Sequence, residues 1–181
     1  TLYNLNDIGK KKASVAKKKL LLINPHAKIN AYSKNIERKN LGLLKNSSII
    51  VDSTDNWETM KLINEYSVKK NIPLLSASAI GFDIQIILFE NKKNKHLCLQ
   101  CIFPNDKEPE IARCDKVGII GTTTGLTGIL GAQMIINFLM KFTDKLDFLT
   151  LIDCKSLNIS KIKIKNKNNC KIKLKNKELI E

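Results

Sequence analysis

An apolar run that ends in polar residues is the clearest signal in the hydrophobic pattern of this chain. Residues 49–51 are Ile-Ile-Val and lead into Asp52-Ser53-Thr54-Asp55-Asn56, after which a helical pattern begins. β-branched apolar residues that close on Ser, Thr, Asp and Asn are typical of a buried parallel strand whose carboxyl end opens onto a helix N-terminus. Ligands bind at that edge in open α/β sheets, so residues 49–56 are the first candidate for a functional site.

Three helices are predicted from apolar residues at helical spacing. The first covers residues 7–22, with Asp7 as its N-cap. The second covers residues 57–70 and ends at Asn71. The third covers residues 125–142 and is the most apolar of the three. Together with the strand predicted over residues 49–52, these helices predict an α/β protein.

Strands are predicted where apolar residues alternate or run together: 27–33, 49–52, 73–76, 82–88, 96–103, 146–152 and 159–164. The alternation over 82–88 indicates a strand that pairs partly antiparallel and leaves one face less buried. The Ile and Lys alternation over 159–164 is typical of an edge strand whose lysines discourage aggregation. Residues 104–117 are polar and charged and predict a loop.

Composition fits one globular domain of 181 residues, because 43% of the residues are hydrophobic. The net charge of +14 makes nucleic acid a possible partner. However, only two of the 31 basic residues are arginines, Arg38 and Arg113. The Lys, Asn and Ile bias lacks the arginine and aromatic interleaving of a nucleic-acid face, so we interpret it as a solvated surface.

Neither a membrane span nor a signal peptide is predicted. The longest apolar segment, residues 129–140, is broken by Gln133 and Asn137 and is too short to cross a bilayer, and residues 20–23 are too few for a signal core. Five cysteines, an odd number, fit reduced thiols or a metal better than disulfides. The pattern predicts a soluble, cytoplasmic protein without membrane contact.

Asp55 is the first residue that could carry chemistry. It lies one residue beyond a Ser-Thr pair at the strand end, where a carboxylate can hold Mg²⁺ beside a nucleotide phosphate. The alternative is an N-cap of the following helix, a position that Asp also favours. Similarly, a lysine of the run 10–12 could contact a phosphate as a point charge, but lysine runs are usually solvated surface. Local sequence leaves both alternatives open.

A CxxC pair, Cys98 and Cys101, lies on strand-like sequence. Two thiolates at this spacing can bind one tetrahedral zinc ion. A second pair is incomplete because Cys170 is followed three residues later by Lys173. A metal would therefore be held by three thiolates, would recruit His96 or water, or is absent.

Cys114 lies in the predicted loop, between Arg113 and Asp115. The neighbouring cations favour a nucleophilic thiolate, and the adjacent Asp opposes it. A reactive cysteine and an inert loop cysteine both fit this position.

Taken together, these segments resemble the HesA/MoeB/ThiF family, the adenylating enzymes of molybdopterin and thiamine biosynthesis and bacterial relatives of ubiquitin-activating enzymes. The resemblance runs from Thr1 to about Cys170. Its matching segments occur in the family's order and spacing, at residues 8–13, 23–26, 52–56, 73–76, 81–85, 98–101 and 118–131. The ordered set is more specific than any of its motifs.

The resemblance implies an ATP-dependent adenylyltransferase that activates the C-terminal glycine carboxylate of a ubiquitin-like sulfur carrier protein. It places the family's phosphate-contacting lysine on Lys12 and its magnesium and nucleotide aspartate on Asp55, with Asn56 beside it in the nucleotide site. Cys114 matches a loop cysteine that handles the activated carrier or its sulfur in some members. The resemblance also implies a homodimer.

The resemblance further implies that Cys98, Cys101 and Cys170 match three of the family's four zinc ligands, with Lys173 at the fourth position. It makes the fold a Rossmann-like α/β domain over residues 1–181, with a mostly parallel sheet, helices on both faces and additional C-terminal strands.

The departures from the family concern its first strand, glycine-rich nucleotide loop, ribose-binding acidic residue and phosphate-binding arginines. All of these correspond to positions upstream of Thr1, and the first methionine is Met60, so we expect this chain to be a fragment or processed product. Losing several preorganised groups, each worth ~3–4 kcal/mol, should leave the fragment alone inactive. The alternatives are an inactive remnant or pseudo-activating subunit that binds a partner without catalysis, and a nucleic-acid-binding protein.

Overall fold

The computed structural model describes residues 2–92, 97–103, 118–142, 146, 148–164 and 172. The chain divides into two compact units, Thr1–Ile36 and Glu37–Glu181. The single domain predicted over residues 1–181 stays a prediction.

The first unit contains a short 3-10 helix, Leu5–Asp7, and helix α1, Lys12–Ile23. The predicted helix start at residue 7 is therefore wrong. Asp7 belongs to the 3-10 turn, where its carboxylate accepts a hydrogen bond from the Asn4 backbone N–H and pairs with Lys19. The chain then turns at Gly9, whose φ of +79° is costly for other residues, before α1 can begin. The helix ends at Asn24, just before Pro25.

The strand predicted over 27–33 is also wrong. These residues carry no strand assignment, and no described pairing involves them. Alternation marks a chain that could pair, but a strand forms only where a neighbouring strand supplies the backbone partners.

The second unit begins with a 3-10 helix, Arg38–Leu44, and is built on a five-stranded sheet in the order β1-β2-β3-β4-β5. Helix α2, Trp57–Lys70, joins the first two strands and matches the predicted bounds. The strands are β1 Ile50–Asp52, β2 Leu74–Ile80, β3 Asp83–Phe89, β4 Phe148–Asp153 and β5 Asn158–Lys163.

Only the β1–β2 pairing is parallel in the described sheet, and the three others are antiparallel. The α2 crossover returns the chain parallel to β1, which is the βαβ unit that the sequence pattern indicates. The mostly parallel sheet is wrong for this part of the chain, because the two-residue turn after Ile80 can only join antiparallel strands. Gly81 takes a φ of 55° in that turn. The antiparallel character predicted for residues 82–88 is confirmed.

Both faces of the sheet are buried, one of them by a long helix. Helix α4, Gly121–Leu139, follows the short helix α3, Leu99–Ile102, and packs on β2 and β3 through a cluster that includes Leu75, Ile84, Ile86 and Leu130. A Cβ added at Gly131 would lie 3.2 Å from Leu75 Cδ2, so glycine permits this close approach. The opposite face of the strands is buried as well, at Leu74, Ile87 and Phe89.

The predicted strands over 146–152 and 159–164 are confirmed as β4 and β5, with β5 at the edge of the described sheet. The strand predicted over 96–103 is wrong where the structure describes it, because residues 99–102 form α3. The predicted loop 104–117 lies outside the described residues. In the described part of the chain, no helix is long and apolar enough to span a membrane.

Candidate functional site

Asp52 is the last residue of β1, and its side chain holds the turn that follows the strand. Its side chain is 3% exposed, and Asp52 lies opposite Ser76 of β2, which is also buried. One carboxylate oxygen, Oδ1, accepts hydrogen bonds from the Thr54 backbone N–H at 3.0 Å and from the Thr54 hydroxyl at 2.7 Å. Burial raises the pKa of the Asp52 carboxyl, and the two Thr54 bonds oppose that shift. This closed turn leads the chain from β1 toward Asp55.

The N-cap of α2 is Asn56. Its backbone is extended, and its Oδ1 accepts a hydrogen bond from the Thr59 N–H at 3.0 Å. The alternative in which Asp55 caps the helix is therefore wrong. Asn56 is exposed, and its amide nitrogen donates to no residue that the structure describes, so the capping bond does not prevent contact with a nucleotide.

Asp55 is exposed and has no hydrogen bond or ion pair to any residue that the structure describes. A carboxylate in this state keeps its oxygens for an external ligand, and oxygen is the donor that Mg²⁺ prefers. The donor chemistry at the predicted metal position therefore fits this ion.

Lys12 is the first residue of α1 and is exposed. Its backbone oxygen accepts a hydrogen bond from the Tyr3 hydroxyl at 3.3 Å, which fixes the start of the helix. Lys12 belongs to the first unit and Asp55 to the second. An exposed ammonium at a helix start can contact a phosphate as a point charge.

The two thiols of the CxxC pair converge in the interior. Cys98 and Cys101 are buried, and their Sγ atoms lie 3.8 Å apart. Two thiolates that bind one tetrahedral zinc at about 2.3 Å each lie about 3.8 Å from one another, so the pair fits half of such a site. The pair lies on a helical turn, because Cys98 caps α3 and Cys101 lies within it.

The remaining predicted thiol-site residues, namely His96, Cys114, Cys170 and Lys173, lie outside the described residues. Within the residues that are described, no group of three metal-binding side chains occurs. Ile172 packs in one buried cluster with Cys98, Cys101 and Val68.

A buried polar network behind the CxxC turn was not predicted from the sequence. Asn64 Oδ1 accepts a hydrogen bond from the Leu99 backbone N–H at 3.0 Å, and Asn91 Nδ2 donates to Ser67 Oγ at 2.8 Å and to the Ile72 carbonyl at 2.9 Å. The available signal was position, because Asn64 and Ser67 lie beside Ile63 and Val68 on the inward face of α2. Polar residues on an inward face must find partners there.

Solved structures with the same architecture define the class of the fold. The microcin C7 biosynthetic enzyme MccB in complex with N-formylated MccA matches 95% of this chain and 54% of its own, with a TM-score of 0.80 and 19% identity. The structure of PaaA matches 91% of this chain and 59% of its own, with a TM-score of 0.69 and 15% identity. These likenesses establish a Rossmann-type α/β fold.

The chain belongs to the ThiF family, whose sequence profile matches residues 1–172. It is 30% identical over 156 residues to the sulfur carrier protein ThiS adenylyltransferase of Escherichia coli (strain K12), covering 86% of this chain and 61% of that protein. It is 32% identical over 148 residues to the adenylyltransferase and sulfurtransferase MOCS3 of Drosophila grimshawi, covering 81% of this chain and 33% of that protein. The family predicted from the ordered motifs is confirmed. The chain spans a third to about 60% of the length of these relatives.

Proposed function

We propose that the full-length protein is an ATP-dependent adenylyltransferase that activates the C-terminal glycine carboxylate of a ubiquitin-like sulfur carrier protein. The observation that carries the proposal is the Asp55 carboxylate, which is exposed at the carboxyl end of β1, directly before the capped start of α2. Membership of the ThiF family and relatives named as sulfur carrier adenylyltransferases support it.

Asp55 and Lys12 carry the polar chemistry in this proposal. Asp55 would hold Mg²⁺, which would supply charge neutralisation at the nucleotide phosphates. Lys12 offsets the charge that develops when the carrier carboxylate attacks the α-phosphorus and pyrophosphate leaves, giving the acyl-adenylate. Asn56 keeps the start of α2 in place and contacts the nucleotide through its amide nitrogen.

ATP–pyrophosphate exchange by the full-length protein tests this assignment. Exchange should depend on the carrier protein, and Asp55→Ala should lower it about 10²–10³-fold, the usual cost of one preorganised charge-stabilising group. Glu90→Ala is the control, because it removes a carboxylate away from the site. Glu90 directly follows β3. It lies at the end of the strands opposite to Asp55, because Phe89 pairs with Leu74 at the start of β2. Exchange that survives Asp55→Ala would remove Asp55 from the site.

The alternative function is a partner-binding subunit without catalysis. The incomplete cysteine set favours it, since Lys173 stands where a fourth thiolate would be expected. It predicts carrier binding without pyrophosphate exchange in the full-length protein. Nucleic-acid binding through the charge of +14 predicts instead an affinity that falls steeply with salt and shows no nucleotide preference.

Cys98, Cys101 and Cys170 are proposed as ligands of one zinc ion. The Sγ separation of 3.8 Å supports the first two. Metal analysis of the purified protein should give one zinc per chain, lost in Cys98→Ser and retained in Cys154→Ser. A well-folded, zinc-free wild-type protein would exclude the three thiols as ligands. A reactive role for Cys114 and a cytoplasmic location stay predictions.

A homodimer through α4 is the proposed assembly. The outer side of this helix carries exposed apolar residues, with Ile129 69% and Ile136 50% exposed. Gly125 and Gly128 leave open space beside them, because a Cβ at either position would meet nothing within 4 Å. Light scattering should show a dimer that Ile129→Asp converts to a monomer. Ile23→Asp, on the exposed side of α1, is the control and should stay dimeric.

A further inference from the structure

The polar network on α2 includes a hydrogen bond from a side chain of this helix to the backbone of the CxxC turn. Asn64 is 1% exposed and Leu99 is 4% exposed, so their hydrogen bond of 3.0 Å is shielded from water. Leu99 is the first residue of α3, and the N–H groups at a helix start have no partner within the helix. Asn64 thus satisfies a backbone donor that the CxxC turn itself cannot satisfy.

Two hydrogen bonds hold the peptide unit that joins Cys98 to Leu99, one at its N–H and one at its carbonyl. The Leu99 N–H donates to Asn64, and the Cys98 carbonyl accepts from the Cys101 N–H at 2.9 Å. These two bonds restrict rotation of the peptide unit that joins Cys98 to Leu99, which sets where the Cys98 side chain can point. The Sγ atoms of Cys98 and Cys101 lie 3.8 Å apart in this arrangement.

We propose that Asn64 is a positioning residue for the Cys98 and Cys101 thiols, holding them at the separation that one soft metal ion requires. The inference rests on the proposed use of these thiols as zinc ligands. Groups that orient ligands without touching the metal typically change its affinity 10–100-fold when they are removed. A neutral amide suits the position because its oxygen accepts the Leu99 bond without placing a buried charge beside the thiols.

Asn91 provides a matched control within the same network. It is also 1% exposed and also makes buried hydrogen bonds, but it donates to Ser67 and to the Ile72 carbonyl rather than to the CxxC turn. Asn64→Leu and Asn91→Leu each remove a buried amide, and Asn91→Leu also places Leu at a φ of 52°, so its stability should fall at least as much. A general loss of stability should therefore affect both variants, while loss of thiol positioning should affect only the first.

The test measures zinc affinity of the full chain by competition with a chromophoric chelator. Asn64→Leu should weaken zinc at least about tenfold, and Asn91→Leu should stay within about twofold of the wild type. Asn64→Asp keeps the acceptor for the Leu99 N–H, so its zinc affinity should stay within about tenfold of the wild type. If Asn64→Leu does not fold, an Asn64→Asp affinity more than about tenfold below wild type overturns the proposal.

Thiol alkylation separates this inference from the zinc proposal. In metal-free protein, Cys98 and Cys101 should react faster with iodoacetamide in Asn64→Leu than in the wild type or in Asn91→Leu. A wild-type protein that binds no zinc would refute the metal proposal, and alkylation would then still report whether Asn64 holds the thiols. Equal alkylation rates in Asn64→Leu and Asn91→Leu, or equal zinc affinities, would overturn the inference.

Discussion

The amino end of α2 and the buried face of its second half use the same kind of side chain in opposite ways. At the amino end, Asp55 and Asn56 are exposed, and of their side-chain atoms only the Asn56 oxygen bonds a described residue, in the helix cap. In the second half, Asn64 and Ser67 are buried and hold neighbouring backbone and side-chain groups. A polar group that is exposed and unused can bind a ligand, whereas a buried one is committed to the fold.

Asp55→Asn should give the largest change that leaves the fold intact. The variant removes the charge but keeps the shape of the side chain, so exchange by the full-length protein should fall about 10²–10³-fold. The free energy of unfolding should change by less than about 0.5 kcal/mol, because no described contact is lost. Parallel exchange and urea measurements check both values. A large loss of stability would show that Asp55 supports the fold after all.

Asn64→Leu should instead lower the stability of the fold. It leaves the buried Leu99 N–H without an acceptor, which typically costs about 1–3 kcal/mol of unfolding free energy. Denaturation in guanidinium measures this loss, with Asp55→Asn as the comparison. If both variants were equally stable, the distinction between the two regions of α2 would be wrong.

The same contrast explains which elements could be predicted from the sequence. The bounds of α2 were predictable because its signals are local, with Asn56 as N-cap and Asn71 in the left-handed conformation at the C-cap. The strand predicted over 96–103 failed because the helical turn there depends on Asn64, 35 positions away from Leu99. A bond between distant residues leaves no periodic pattern in the sequence.

Strand direction was only partly predictable from the local pattern. The apolar run at residues 49–51 and the helix after it predicted a parallel unit, which β1 and β2 form. The antiparallel pairing of β2 with β3 depends on the two-residue turn at Gly81, where an allowed φ of 55° decides the topology. At the site, the exposed Asp55 could be predicted from its motif, but the Thr54 bonds that close the turn onto buried Asp52 could not.

Asn56 combines both uses of a polar side chain, because its oxygen caps α2 and its amide nitrogen is proposed to contact the nucleotide. Substitutions can test these two atoms separately. Asn56→Ala removes the cap and should cost about 1 kcal/mol of unfolding free energy. Asn56→Asp keeps the capping oxygen and loses the amide donors, so it should be as stable as the wild type but bind Mg²⁺–ATP more weakly. Urea denaturation and calorimetric titration of the full-length protein measure the two effects. Full nucleotide affinity in Asn56→Asp would limit Asn56 to capping.

Asp52 should give the smallest effect, and one that depends on pH. Burial raises the pKa of this carboxyl above its ordinary value of 3.8, so the folded state favours the protonated form. The stability that this provides is complete below pH 3.8 and is lost as the pH rises through the raised pKa. Asp52→Asn keeps an oxygen for the two Thr54 bonds but cannot ionise.

The difference in unfolding free energy between Asp52→Asn and the wild type should therefore be smallest in acid. It should grow in favour of the variant toward neutral pH, and level off once the folded carboxyl is ionised. Urea midpoints at several pH values measure this difference, and the other titrating groups cancel because both proteins share them. A difference that favours the wild type at neutral pH would mean that the ionised carboxylate stabilises the strand end, and a constant difference would mean that folding leaves the pKa of Asp52 unchanged.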